Sequence, residues 1–260
     1  ITFCESAENN VGMEMIGKIA EKGFTLEDMY EIANKIEGNF EYKIIDLKSV
    51  LGEEELIQMG NVDDAYLMIV RNCIHGDKLY DEQIELELDE KAFMRGKVVN
   101  KRARWNLCYA GFSQEPDYEN KKGRIVNFEN VKYLNALKKD LENLLGEKGQ
   151  NLYAELNYYY NVEDCYIGFH GDGERKKVVC VRLGETFPIH YQWYFKGRPI
   201  GDRISFELNN GDMYIMSEKS VGNDWKKKNI ATLRHAAGFE GKYILSNEKI
   251  IQNLEKKTKK

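Results

Sequence analysis

No stretch of the 260 residues approaches the roughly 20 consecutive apolar positions that a helix needs to cross a bilayer, so no membrane span is expected. The opening residues from Ile1 show no basic flank followed by an apolar stretch, so no signal peptide is expected there, and the reading is of a soluble chain trimmed at its start. Paired cysteines are missing as well. Cys4, Cys73, Cys108, Cys165 and Cys180 are odd in number, scattered and free of Cys-x-x-Cys spacing, which argues against both a disulfide framework and a zinc site. A reducing compartment, cytoplasmic or nuclear, is the expectation. Excess positive charge is absent too: a net charge of -5 and a pI near 5.6 argue against coating nucleic acid by bulk electrostatics. No internal repeat is evident, and the length suffices for a sizeable core.

Local patterning predicts a mixed chain. Residues 1–60 read as mostly helical, because Thr25 and Asp28 form a capping-box-like start and Leu26, Met29, Ile32 and Ile36 recur at helical spacing before Gly38. Residues 65–70 suit a buried strand, and Ile84, Leu86 and Leu88 alternate with acids as in a half-exposed one. Residues 114–123 carry turn chemistry. Val131, Leu134, Leu137, Leu141 and Leu144 share one helical face, with Asn130 placed to cap it and Gly146 to end it. From residue 151 onward, short strand-like runs separated by glycine turns predict an antiparallel sandwich or barrel, followed by a short C-terminal helix.

Only four histidines are present, and two of them open the tripeptide His-Gly-Asp. With 43 acidic residues in the chain, such pairs arise by chance, so context decides. His75 and Asp77 sit in what reads as an exposed turn. His170 and Asp172 sit instead at the head of the strand-rich half, with His235 available 65 positions downstream. Two neutral imidazoles and one carboxylate form the facial triad of non-heme Fe(II) oxygenases. A pair of satisfied core histidines is the competing reading.

These residues lie in a region, about 99–238, that resembles the AlkB-type dioxygenases. Tyr158 to Glu174, containing Ile-Gly-Phe-His-Gly-Asp-Gly-Glu, is similar to that group's Asn-x-Tyr and His-x-Asp segment. Tyr160 fits the tyrosine that contacts 2-oxoglutarate, and a one-residue slip offers Asn157 and Tyr159 instead. Val178 to Gly184 and Gly211 to Met216 follow the order of the family's barrel strands. Lys228 to Arg234 resembles its closing strand, whose two arginines grip the carboxylates of 2-oxoglutarate; Lys228 replaces the first and Arg234 matches the second. No histidine lies between His190 and His235, whereas the family's distal ligand is expected near Trp225 to Lys227. A second comparison, with prolyl-hydroxylase-type members of the wider superfamily, places that ligand at His235 and the anchor at Lys242. Arg234 and His235 cannot share a face of a regular strand.

The resemblance implies an α+β fold with a double-stranded β-helix (jelly-roll) core, flanking helices and a helical N-terminal extension, with residues 1–60 set apart from a dioxygenase domain over 61–260. It implies Fe(II) held by His170, Asp172 and His235, 2-oxoglutarate and dioxygen as cosubstrates, and hydroxylation or oxidative demethylation of a substrate. Arg102, Arg104 and Trp105 lie in a segment similar to the AlkB lid, which points to single-stranded or damaged nucleic acid as the partner. A protein or small-molecule hydroxylase, a cupin-like metal enzyme and a non-catalytic jelly roll that has lost its iron are the alternatives.

Overall fold

The computed structural model describes residues 1–241 and 244–258. In chain order the strands are β1 (Thr2–Cys4), β2 (Ser6–Glu8), β3 (Met15–Gly17), β4 (Tyr42–Asp46), β5 (Tyr66–Val70), β6 (Lys91–Met94), β7 (Lys97–Asn100), β8 (Trp105–Ala110), β9 (Ile125–Asn127), β10 (Tyr153–Tyr158), β11 (Ile167–His170), β12 (Val178–Val181), β13 (Phe187–Phe195), β14 (Arg198–Leu208), β15 (Met213–Met216) and β16 (Thr232–Ala237). The α-helices are α1 (Leu26–Ile36), α2 (Glu53–Met59), α3 (Gly76–Ile84), α4 (Lys132–Leu145), α5 (Glu218–Val221) and α6 (Asn247–Thr258). The fold is mixed α+β.

Eight strands form one sheet in the order β4-β5-β15-β12-β1-β10-β8-β9, and four form a second in the order β11-β16-β13-β14. Pairing within them is antiparallel except between β8 and β9. Strand alternation builds the layers. Along β5, β12 and β15, the residues Leu67, Ile69, Val178, Cys180, Tyr214 and Met216 face the smaller sheet, where they meet Ile189, Tyr191, Trp193 and Leu233. Their neighbours Met68, Val70, Val179, Val181, Met213 and Ile215 face the other way, onto α1 and α4. Burial on both faces is why these strands read as unbroken apolar runs. The molecule is therefore a helical layer, a large sheet and a small sheet.

The helices follow the local rules closely. Thr25 and Asp28 make the reciprocal capping box that starts α1, and Met29, Ile32, Ala33 and Ile36 form its buried face. For α4 the cap differs from expectation, since the carboxylate of Glu82 accepts from the backbone N–H groups of Tyr133 and Leu134 at 2.8 and 2.9 Å and Asn130 is not the cap. Lys196 and Gly197, both at positive φ, turn β13 back into β14.

Two expectations are corrected. Residues 1–60 are not a helical extension, because three strands precede the first helix, β1 lies between β12 and β10 inside the large sheet, and β4 pairs with β5. Phe3 and Cys4 are fully buried there, on opposite faces, and that burial outweighs any helical preference of the segment. Residues 84–88 are not a strand. Ile84 ends α3, and Leu86 and Leu88 pack against the core from irregular chain.

Candidate metal centre

The site grows from the pairing of β11 with β16, which sets His170 directly opposite His235. Cross-strand partners share a face of a sheet, and Tyr191 stands opposite His235 on the other side, so His235 points between the two sheets. Asp172 follows just past the end of β11, where its backbone N–H donates to the Val221 carbonyl at 3.0 Å. The intervening residue has to be glycine: a Cβ on Gly171 would stand 2.1 Å from the Gly222 carbonyl oxygen and 2.8 Å from the Trp225 Cβ. That close approach tucks the loop under the site.

His170 Nε2 and His235 Nε2 lie 3.3 and 3.6 Å from the same carboxylate oxygen, Oδ1 of Asp172. One ligand atom from each of the three residues falls within 4.8 Å of the others. The Nδ1 of His170 hydrogen-bonds the Gly168 carbonyl at 2.8 Å, which places the proton on Nδ1 and frees Nε2. The Nδ1 of His235 is buried without a hydrogen-bond partner among the described residues. Burial, and then the neighbouring His170, lowers the His235 pKa and keeps the ring neutral, the form that ligates metals. Burial alone would raise the Asp172 carboxyl, but Arg175 and the adjacent His170 and His235 rings hold it well below the usual carboxylate range. The donor set therefore suits a divalent metal ion of the nitrogen- and oxygen-loving kind.

Beneath Asp172 lies Arg175, with a side chain only 5% exposed. It pairs with Glu155 at 2.8 Å and Glu174 at 2.6 Å, comes within 3.7 Å of Asp172, and donates to the Cys4 sulfur at 3.3 Å. A buried guanidinium needs such partners, and here they also fix one edge of the Asp172 carboxylate.

The cluster opens onto a cavity of about 580 Å³ between the two sheets, walled by Val178, Cys180, Ile189, Tyr214 and Met216. Asn157, Tyr159, Arg104 and Arg182 also line it. Tyr160 does not: it is 41% exposed, stacks on Trp105 with ring centroids 4.6 Å apart, and donates to the Arg102 carbonyl. The one-residue slip to Asn157 and Tyr159 is the register that reaches the cavity. Burial pushes the Tyr159 phenol up to about 12, so it is a hydrogen-bond donor at neutral pH.

Arg234 lies on the face of β16 opposite His235. Its guanidinium stands 3.9 Å from the Tyr194 ring centroid and 5.2 Å from that of Trp225, away from the cavity. Lys228 is exposed in the segment before β16, and Lys242 lies outside the described residues. Arg104 reaches the cavity wall with its Nε donating to Asn157 at 2.5 Å, while Arg102 is exposed and Trp105 is covered by Tyr160. His75 is exposed, but it stands at the start of α3, which carries Asp77, rather than in a turn.

Sequence reasoning missed Arg175 and Arg182. Arg182 stands at the end of β12 with its guanidinium carbon 5.2 Å from the Phe187 ring centroid and 5.9 Å from that of Tyr159. Its Nε is buried without a hydrogen-bond partner, and it forms no ion pair with a carboxylate among the described residues. The inward spacing of Val178, Cys180 and Arg182 was the available signal.

No protein-family model matches the chain. A protein of Acanthamoeba polyphaga mimivirus, named as the uncharacterized protein R156, is 46% identical over 245 residues, spanning 92% of this chain and 95% of that protein.

Proposed function

The chain belongs to the family of that mimivirus protein, and we propose that it is an Fe(II)- and 2-oxoglutarate-dependent dioxygenase of AlkB-like type on a jelly-roll core. The observation that carries the reading is the convergence of His170, Asp172 and His235, from two strands 65 residues apart, on one point at the edge of an interior cavity. Two facing sheets, antiparallel but for the β8–β9 pair, with the cluster between them support that reading.

His170 and His235 would hold the ion through their Nε2 atoms and Asp172 through a carboxylate oxygen. When bound, ferrous iron with a 2-keto acid and dioxygen supplies oxidation of a substrate C–H bond coupled to decarboxylation of the keto acid. The chain's own residues prepare that chemistry. Arg175 orients Asp172 from below, Gly168 fixes the His170 tautomer, and the apolar wall of Val178, Ile189 and Met216 keeps water out. Arg182 lines the cavity beside Tyr159 with a buried, unpartnered Nε, so it serves as counter-charge for the carboxylate of the keto acid remote from the metal, with Tyr159 donating beside it. Arg104 on the same wall is the residue through which a nucleic-acid phosphate would be held. The five free thiols suit the reducing compartment proposed for such an enzyme.

The test is succinate formation from 2-oxoglutarate under air with Fe(II), compared between the parent and Asp172→Ala. Turnover in the parent that disappears in the variant supports the enzyme. Equal background in both favours the second reading, a binding module that kept the fold, whose support is the unpartnered Nδ1 of His235. Such rings usually donate to an orienting acceptor in working metal sites.

A further inference from the structure

Beside the metal cavity lies a second chamber of about 480 Å³, and the two share Ile1, Asn157, Tyr159 and Arg182 as a common wall. Its lining is aromatic and aliphatic, with Tyr80, Tyr158, Phe187, Ile84, Leu156 and Leu183 on its sides. The volume falls within the range of small-molecule sites.

The amide groups that line this chamber are already spent. Gln83 accepts from the Tyr109 hydroxyl and donates to Glu82. Asn157 accepts from Arg104 and Asn106 and donates to Glu155. Asn161 accepts from the backbone of Glu163 and donates to Asp164. Arg182 is different, because its guanidinium lies against the Phe187 and Tyr159 rings with a buried, unpartnered Nε and no carboxylate paired to it. A cation in an apolar, ring-lined recess is costly unless an anion joins it. Glu185 also lines the chamber, but it is exposed and forms no ion pair with Arg182 among the described residues.

We infer that this chamber is a second binding site, for a small aromatic carboxylate whose ring lies among Tyr80, Tyr158 and Phe187 and whose carboxylate pairs with Arg182. Because Arg182 also faces the metal cavity, such a ligand competes with any carboxylate held there. The chamber then acts as a port through which an aromatic acid displaces the keto acid without touching the metal cluster. Only this competition rests on the dioxygenase reading; the binding itself does not.

Calorimetric titration of the full chain, without metal or keto acid, with 3-phenylpropionate and with its neutral amide tests the site. The acid is expected to bind about tenfold or more tightly than the amide, and Arg182→Met to remove that preference. Ile84→Trp, a filling change at a residue 48% exposed at the end of α3, is expected to abolish binding with the melting temperature unchanged. Equal binding of acid and amide, retention of the preference in Arg182→Met, or no heat with either compound overturns the proposal. In the metal-loaded protein the acid is expected to raise the apparent Kd for 2-oxoglutarate. If 2-oxoglutarate does not bind at all, the dioxygenase reading fails while the metal-free result still decides the chamber.

Discussion

His170 and His235 face each other across the β11–β16 pair with ring centroids 4.4 Å apart and planes at 60°. Two tilted imidazoles this close, with Nε2 of each near one carboxylate oxygen, satisfy each other poorly as hydrogen-bond partners. They are arranged instead around a shared point, and the predictions below follow from that geometry.

Arg175→Met is expected to destabilise the fold by about 3–5 kcal/mol, because it leaves Glu155 and Glu174 without their buried counter-charge. It is also expected to weaken divalent-metal affinity about 10–100-fold through the loss of orientation of Asp172. Arg175→Lys restores part of the stability, so comparing denaturation midpoints and metal titrations of the two variants separates support of the fold from positioning of the ligand.

Tyr159→Phe and Arg182→Met are expected to raise the apparent Kd for 2-oxoglutarate about tenfold or more each, since a charge-assisted or buried hydrogen bond is removed from the cavity wall. Tyr160→Phe and Arg234→Met are expected to leave it unchanged. Arg234→Met costs the contacts with Tyr194 and Trp225, about 0.5–2 kcal/mol in a denaturant titration.

The pH dependence has a definite sign. Burial depresses the His235 pKa below that of the unfolded chain, so the unfolded state takes up the proton first as pH falls. Stability of the metal-free protein is therefore expected to decline as pH drops through about 6.5, the ordinary histidine value. His235→Leu is expected to flatten that decline between pH 7.5 and 5.5. Asp172, held low in the folded state, contributes stability that is present at neutral pH and lost as pH falls from the ordinary carboxylate value toward its depressed folded value.

Neutralising Arg102 and Arg104 together is expected to reduce affinity for a single-stranded oligonucleotide and to flatten its salt dependence if nucleic acid is the substrate. A fluorescence-anisotropy titration at two salt concentrations checks this, and unchanged affinity removes nucleic acid as the partner.

What the sequence made legible was local. The α1 capping box and the α4 apolar face depend on residues three and four apart, and both appear where the pattern put them. The His-Gly-Asp segment was legible for the same reason. The N-terminal strands were not, because β1, β2 and β3 are three residues each, too short to display a period, and β1 is held by partners about 150 or more positions away. The alternation at residues 84–88 misled, because apolar residues ending a helix and packing from loop can alternate by accident. The basic residues of the site were the hardest. Arg234 falls where the AlkB resemblance expects a basic residue but faces outward, since β16 sets His235 inward and neighbours alternate. Arg182 has no local motif, and its role comes only from the sheet that it faces.

The most direct test of the central claim is an anaerobic titration of the protein with Fe(II) and 2-oxoglutarate, followed by visible absorption, in the parent and in His235→Ala. The account predicts a metal-to-ligand charge-transfer band in the parent that is lost in the variant, with both proteins folded by circular dichroism. A band that survives in His235→Ala, or no band in the parent, contradicts it.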